Sequence, residues 1–196
     1  MLMHYDSSHP LYILGTGVPA QRLLYNIQKE YQNQVYLVPD SDFTTIPKNS
    51  YCFFGFSNPE FRKHWINTLK LDDYQWVTYL HPTASVDDLS SIGKGCHIDA
   101  FSYLMWGTQC GEFTKICESV TVGHGTVLGS NVFIGPASTL GGSSKIGNHV
   151  YLGMRSVVKD KISIVDDCFF AMNTVIRKSV NKSGRYYNVN YTLKEY

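Results

Sequence analysis

A chain of 196 residues, 43% apolar and 17% charged, has room for one large domain or two small ones. Its net charge of +1 gives no basic face for nucleic acid, and no segment is long and apolar enough for a signal peptide or a membrane span. The five cysteines (Cys52, Cys96, Cys110, Cys117, Cys168) are odd in number and lack close paired spacing, which argues against a disulfide framework or zinc ribbon and for a reducing cytoplasm.

The apolar run Leu11 to Leu14 reads as a strand. It ends in Gly15-Thr16-Gly17-Val18-Pro19-Ala20, and a helix is predicted from Ala20 to Tyr31, with Pro19 in the first turn where its missing N–H is no loss. Gln34 to Val38 is a second predicted strand, followed by Asp40, and Tyr51 to Phe56 is a third. Asn58 can then cap a helix running through Leu69, and Trp76 to Leu80 is a last strand leading into His81-Pro82. The order fits a small α/β unit over residues 1–80, about half of a Rossmann-like dinucleotide-binding fold. The Gly15-x-Gly17-x-x-Ala20 turn lies where a phosphate-binding loop belongs, and Asp40 is placed to accept from a ribose hydroxyl. The plainer reading is a turn that only connects a strand to a helix. No second mononucleotide half follows, so a single nucleotide diphosphate fits the size better than NAD.

From Val86 the chain changes character. Every sixth residue through Ile176 is apolar, sixteen positions in all, a pattern that chance would give about once in 100,000 trials at this composition. Glycine often follows the apolar residue (Gly93, Gly111, Gly123, Gly129, Gly135, Gly141, Gly147, Gly153), and a small or β-branched residue often stands two before it. Such a unit suits one face of a triangular coil, with the apolar side chain stacked inward and glycine expected to permit the tight corner. Three units make an eighteen-residue coil, so about five coils are predicted over residues 81–178. The tyrosine-rich segment 179–196 leaves the register and reads as a covering strand or a packing tail.

Residues eighteen apart then lie in register on neighbouring coils about 4.8 Å apart. For His124 those neighbours are Trp106 and Gly142. His124 is two positions past the inward Val122, near a corner and outside the core, where an imidazole can serve as a general base. Gly142 leaves a backbone N–H uncovered at a distance suited to an acyl carbonyl. A lone outward histidine is also a common surface or subunit-packing residue. Zinc is the competing use, but His97 and His149 share a face about three coils, or ~14 Å, apart, and His124 is on a different part of the coil, so no metal is expected.

The small α/β unit, the His81-Pro82-Thr83-Ala84 linker and the unbroken hexapeptide domain with Val120-Thr121-Val122-Gly123-His124, Gly142 and Lys145-Ile146-Gly147-Asn148 together resemble the PglD/NeuD-like (sialic acid O-acetyltransferase type) bacterial sugar acyltransferases. The resemblance covers residues 10 to 178. It implies a left-handed parallel β-helix and a homotrimer with acetyl-CoA lying between adjacent helices. The implied reaction is acetyl transfer to an amine or hydroxyl of a nucleotide-linked amino sugar or related sugar, for surface glycan synthesis. By the same resemblance His124 is the base, Gly142 faces the acetyl carbonyl, and Gly15, Gly17 and Asp40 hold the sugar nucleotide. Three positions differ from the family pattern: Gly125 stands where an acid usually follows the histidine, Cys117 where asparagine is common, and the tail replaces a closing Gly-x-Pro-Ala segment. Asp99 and Glu118 are the acids near enough in sequence to replace the missing one. The alternative is a trimeric binding or scaffold protein that has kept the fold and lost catalysis.

Overall fold

The computed structural model describes every residue except 4, 31–33, 89, 190, 191 and 196, and it divides the chain into two compact units, Met1–Tyr79 and Leu80–Tyr196. Tyr31 of the predicted first helix, and Tyr191 and Tyr196 of the tail, lie outside the described residues.

In the first unit the strands are β1 (Leu2–Met3), β2 (Leu11–Leu14), β3 (Val35–Val38), β4 (Tyr51–Phe54) and β5 (Gln75–Trp76), with helices α1 (Val18–Glu30) and α2 (Pro59–Thr68). Strands β2 to β5 form a parallel sheet in the order β3-β2-β4-β5. Helix α1 buries Ala20, Leu23 and Ile27, spaced for one helical face, against Leu11, Ile13 and Phe53 of the sheet. Aromatic rings form a separate cluster in the unit, with Phe43 against Trp65 at 4.7 Å and Phe54 against Trp76 at 4.5 Å between centroids. Asn58 caps α2 as predicted: its side chain accepts from the Phe61 N–H at 3.0 Å, and Pro59 fills the first turn. Asn58→Ala is expected to cost about 1 kcal/mol, read as a lower urea midpoint for the first unit's unfolding. The single strand predicted from Trp76 to Leu80 is in fact two. Trp76 joins the sheet, and Thr78–Leu80 is a separate strand whose Thr78 and Tyr79 pair antiparallel with β1.

The second unit is a parallel β-helix of two-residue strands. The hexads fall on three sheets, and partners stand eighteen residues apart as far as Ile176, as in Thr121 with Thr139 and Ile116 with Ile134. The inward column of one sheet runs Ile98, Ile116, Ile134, Leu152, Phe170; the next runs Leu104, Val122, Leu140, Val158, Ile176; the third runs Cys110, Leu128, Ile146, Ile164. At about 1.5–3 kcal/mol for each inward side chain, this stack supplies most of the unit's apolar stabilisation.

The helix is longer than the sequence count. Leu80, six before Val86, packs against the same core, and at the far end Tyr186 continues the first column by pairing with Phe170. About six turns result, against the five expected. The last turn spans sixteen residues, Phe170 to Tyr186 and Ile164 to Val180, because the corner after Ile176 is two residues short. That deletion is why residues 179–196 read as out of register. Gly184–Val189 continues the coil, parallel on Cys168–Phe170, and Thr192–Glu195 folds back antiparallel on it.

The corner glycines also serve differently from the expectation. Among the described residues, the left-handed corner residue is three past the inward side chain from Ile92 to Phe170, and eleven of these corners carry an ordinary side chain, Phe101, Ala137 and Arg155 among them. The glycines one past the inward residue are needed for close approach instead. A Cβ on Gly135 would stand 2.5 Å from the Met154 nitrogen on the next coil, and one on Gly111 would stand 2.5 Å from the Gly129 carbonyl carbon. The small residues two before each inward one tie the coils together. The Ser102, Thr114, Ser138 and Ser144 hydroxyls donate to carbonyls fifteen residues on, at Cys117, Gly129, Gly153 and Lys159, over 2.7–3.1 Å. These hydroxyl groups satisfy buried corner carbonyls that no strand partner reaches.

Candidate active site

His124 follows the strand Thr121–Val122 and turns outward at the corner. Its imidazole is exposed and, among the described residues, makes no hydrogen bond or ion pair. It lies across the backbone of the next coil, where a Cβ on Gly142 would stand 2.7 Å from Nε2, so only glycine leaves room for the ring in this position. Among the described residues, the Gly142 N–H has no backbone partner, while its neighbours are engaged: Gly141 donates to Val158 and Ser143 to the carbonyl of His124. An imidazole able to take a proton thus stands beside an uncommitted N–H donor.

The eighteen-residue period orders everything else along this edge. In the column of His124 come Asp88 and Trp106 before it, and Gly142, Asp160 and Lys178 after it. Asp87 and Asp88 place acid on the early side, whereas the exposed Lys159, Lys161, Arg177 and Lys178 make the later side predominantly cationic. At the cationic end a cavity of about 330 Å³ opens between the last coil and the returning strand, lined by Val175, Arg177, Lys178, Val180 and Leu193. This gradient is not among the sequence expectations, although the remainder on division by eighteen is enough to reveal it.

Neither acid proposed as a partner for His124 is on its corner. Asp99 is buried on the corner after the first sheet, where its carboxylate meets His97 Nε2 at 3.2 Å and Lys115 Nζ at 3.6 Å. Cys117 and Glu118 lie with it, their side-chain donor atoms within 4.8 Å of one another. The cluster could be read as a cation site, but Lys115 already supplies a positive charge there. All five cysteines are buried. Burial pushes the Cys52 thiol up to about 12 and raises that of Cys110 as well, so neither is a nucleophile near neutral pH.

In the first unit, Gly15 and Asp40 come to the same edge, at the carboxyl ends of the paired strands β2 and β3. Gly15 has φ +113° and the Phe56 ring close against it, so it too must be glycine. Its N–H donates to Val38 at 2.7 Å and is unavailable to a ligand. The donors left for an anion are those of Thr16, Gly17 and Val18 at the start of α1. Asp40 is exposed and opens a short 3₁₀ turn, Asp40–Thr45. Gly55, not singled out in the sequence, gives α1 its close approach to the sheet: a Cβ there would stand 2.6 Å from that of Ala20.

No family model matches the chain, and no curated protein matches it in sequence. Solved structures do match. A mutant of perosamine N-acetyltransferase from Caulobacter crescentus, in complex with CoA and GDP-perosamine, has a TM-score of 0.85 at 20% identity over 94% of this chain and 96% of its own. The acetyltransferase domain of PglB from Neisseria gonorrhoeae FA1090 has 0.84 at 15% identity, over 96% of this chain and 100% of its own. WeeI from Acinetobacter baumannii AYE has 0.81 at 17% identity, over 95% and 100%. The chain shares their fold. It is a left-handed parallel β-helix preceded by a small α/β unit, and the likeness runs through both parts.

Proposed function

We propose that the protein transfers an acetyl group from acetyl-CoA to an amine or hydroxyl of a nucleotide-linked sugar. The observation that carries this reading is the pairing of the exposed His124 imidazole with the uncommitted Gly142 N–H, on a fold similar to an acetyltransferase crystallised with CoA and GDP-perosamine. In the proposed reaction His124 takes the proton as the acceptor nitrogen or oxygen attacks the thioester carbon, and the Gly142 N–H donates to the developing oxyanion. The C–S bond then breaks and CoA leaves as the thiol, having gained the proton. The cationic run from Lys159 to Lys178 is suited to the anionic donor, and no covalent enzyme intermediate is involved.

In the first unit, the N–H groups at Gly17 and the start of α1 are assigned to the diphosphate and Asp40 to the ribose. Asp40→Ala is expected to raise KM for the nucleotide sugar about tenfold with kcat little changed, as loss of uniform binding predicts. A homotrimer working in the cytoplasm is part of this reading, and sedimentation as a monomer at micromolar concentration would count heavily against a donor site shared between subunits.

The reading is tested by calorimetric titration with acetyl-CoA, followed by thiol-release assays on a panel of nucleotide amino sugars. One observation favours the scaffold alternative: His124 has no polar partner among the described residues. A folded protein that does not bind CoA at millimolar concentration would decide for the scaffold.

A further inference from the structure

Trp106 stands one coil before His124 in the same outward column and is 58% exposed, on a surface where a large apolar ring is costly to leave in water. Its setting is fixed. The Asp87 carboxylate accepts from the Trp106 N–H at 3.2 Å and from the Tyr103 hydroxyl at 2.6 Å, and the Trp106 carbonyl accepts from the Gly125 N–H at 2.9 Å. The corner beside it is bare. Most left-handed corners of this helix carry a side chain, but those flanking Trp106 and His124 are Gly107 and Gly125. A Cβ on Gly107 would meet nothing closer than 3.9 Å, and one on Gly125 nothing closer than 3.7 Å, so these glycines leave open space. An exposed indole, a glycine shelf and a proton-accepting imidazole thus follow one another along a single edge, on the side away from the lysines.

We infer that Trp106 is the acceptor platform: the apolar C–H face of the sugar ring stacks on the indole and rests over Gly107 and Gly125, which brings the ring's amine or hydroxyl to His124. The inference rests on His124 being the base and deepens that reading by fixing the side from which the acceptor arrives. Pyranose rings present a flat patch of C–H groups, and an exposed indole is the largest rigid apolar surface a side chain offers to it. Asp87 is a positioning residue: it holds the backbone of Trp106 and the Tyr103 hydroxyl without touching the sugar.

The test compares wild type, Trp106→Ala and Trp106→Phe with GDP-perosamine and with UDP- and dTDP-linked amino sugars. Calorimetry reads acceptor binding, thiol release reads KM and kcat, and sedimentation reads assembly. Trp106→Ala is expected to weaken acceptor binding and raise its KM about tenfold, with acetyl-CoA affinity unchanged, and Trp106→Phe is expected to recover most of the loss. Wild-type acceptor KM in Trp106→Ala overturns the inference and leaves the acetyltransferase reading standing. A change of oligomeric state in that variant also overturns it, because Trp106 would then be a subunit contact. If the wild type neither binds nor acetylates any of the sugars yet binds acetyl-CoA, the sugar-acceptor reading fails and the platform falls with it.

Discussion

His124→Ala is expected to lower kcat for acetyl transfer by about 10²–10⁴, the usual contribution of a positioned general base. Acetyl-CoA affinity and the urea midpoint should remain those of the wild type. The separation follows from where the side chain lies. The imidazole is exposed, bonds to nothing among the described residues and fills no part of the stacked core, so its removal leaves no cavity and no orphaned partner. Its backbone carbonyl, which holds the next coil through the Ser143 N–H, is kept by alanine. A variant that lost activity and stability together would make His124 a structural residue. One that kept full activity would remove the base from the mechanism.

Two glycine and alanine exchanges on one corner should move stability in opposite directions. Gly135→Ala is expected to cost about 1–3 kcal/mol, the usual penalty for forcing a methyl group into packed structure. Its new Cβ would face the Met154 backbone at 2.5 Å, and main chain cannot swing aside as a side-chain tip can. The cost stays moderate because corresponding positions elsewhere, such as Cys117 and Ala171, carry a Cβ within the same coil plan. Ala137→Gly, two residues along, relieves a left-handed φ of 56° that costs an L-residue roughly 1–2 kcal/mol. The greater freedom of glycine in the unfolded chain offsets about 0.4–1 kcal/mol of that gain, so a small net stabilisation is expected. Urea titration of both variants measures the difference. A stabilised Gly135→Ala with a destabilised Ala137→Gly would mean that the glycine after the inward residue serves the turn after all.

The β-helix was legible because its inward position accepts only apolar side chains, and a strict six-residue rhythm of one residue class survives without further context. Its ends were harder to read. Leu80 belongs to the rhythm, but it follows a segment with strand character of its own, and Tyr186 is displaced from the count by a corner two residues short. The glycines are visible as a pattern, yet a sequence does not show which backbone each one faces, so close approach and turn geometry look alike in it. Position arithmetic that placed His124 beside Gly142 also separates Asp99 and Glu118 from it, since they follow Ile98 and Ile116 on another sheet and His124 follows Val122. The strand-turn-helix of Gly15 to Ala20 was readable from its punctuation. That the Gly15 N–H is already engaged by Val38 depends on a strand pairing that no local motif encodes.

A stack of coils has no natural length: each turn presents to the next the same row of unpaired amides and carbonyls that it received from the previous one, and so offers a template for end-to-end polymerisation. On the first sheet the segment after the coils interrupts this template. Gly184–Val189 takes the exposed edge of Cys168–Phe170, and Thr192–Glu195 then reverses direction, so the outermost strand runs antiparallel to every coil before it. It also carries charge, with Lys182 paired to Glu195 at 2.8 Å and Lys194 beside it. Another molecule arriving at that edge meets a strand of the wrong polarity and an ion pair that would have to be broken, so on this sheet the segment that reads as a mere tail blocks further stacking.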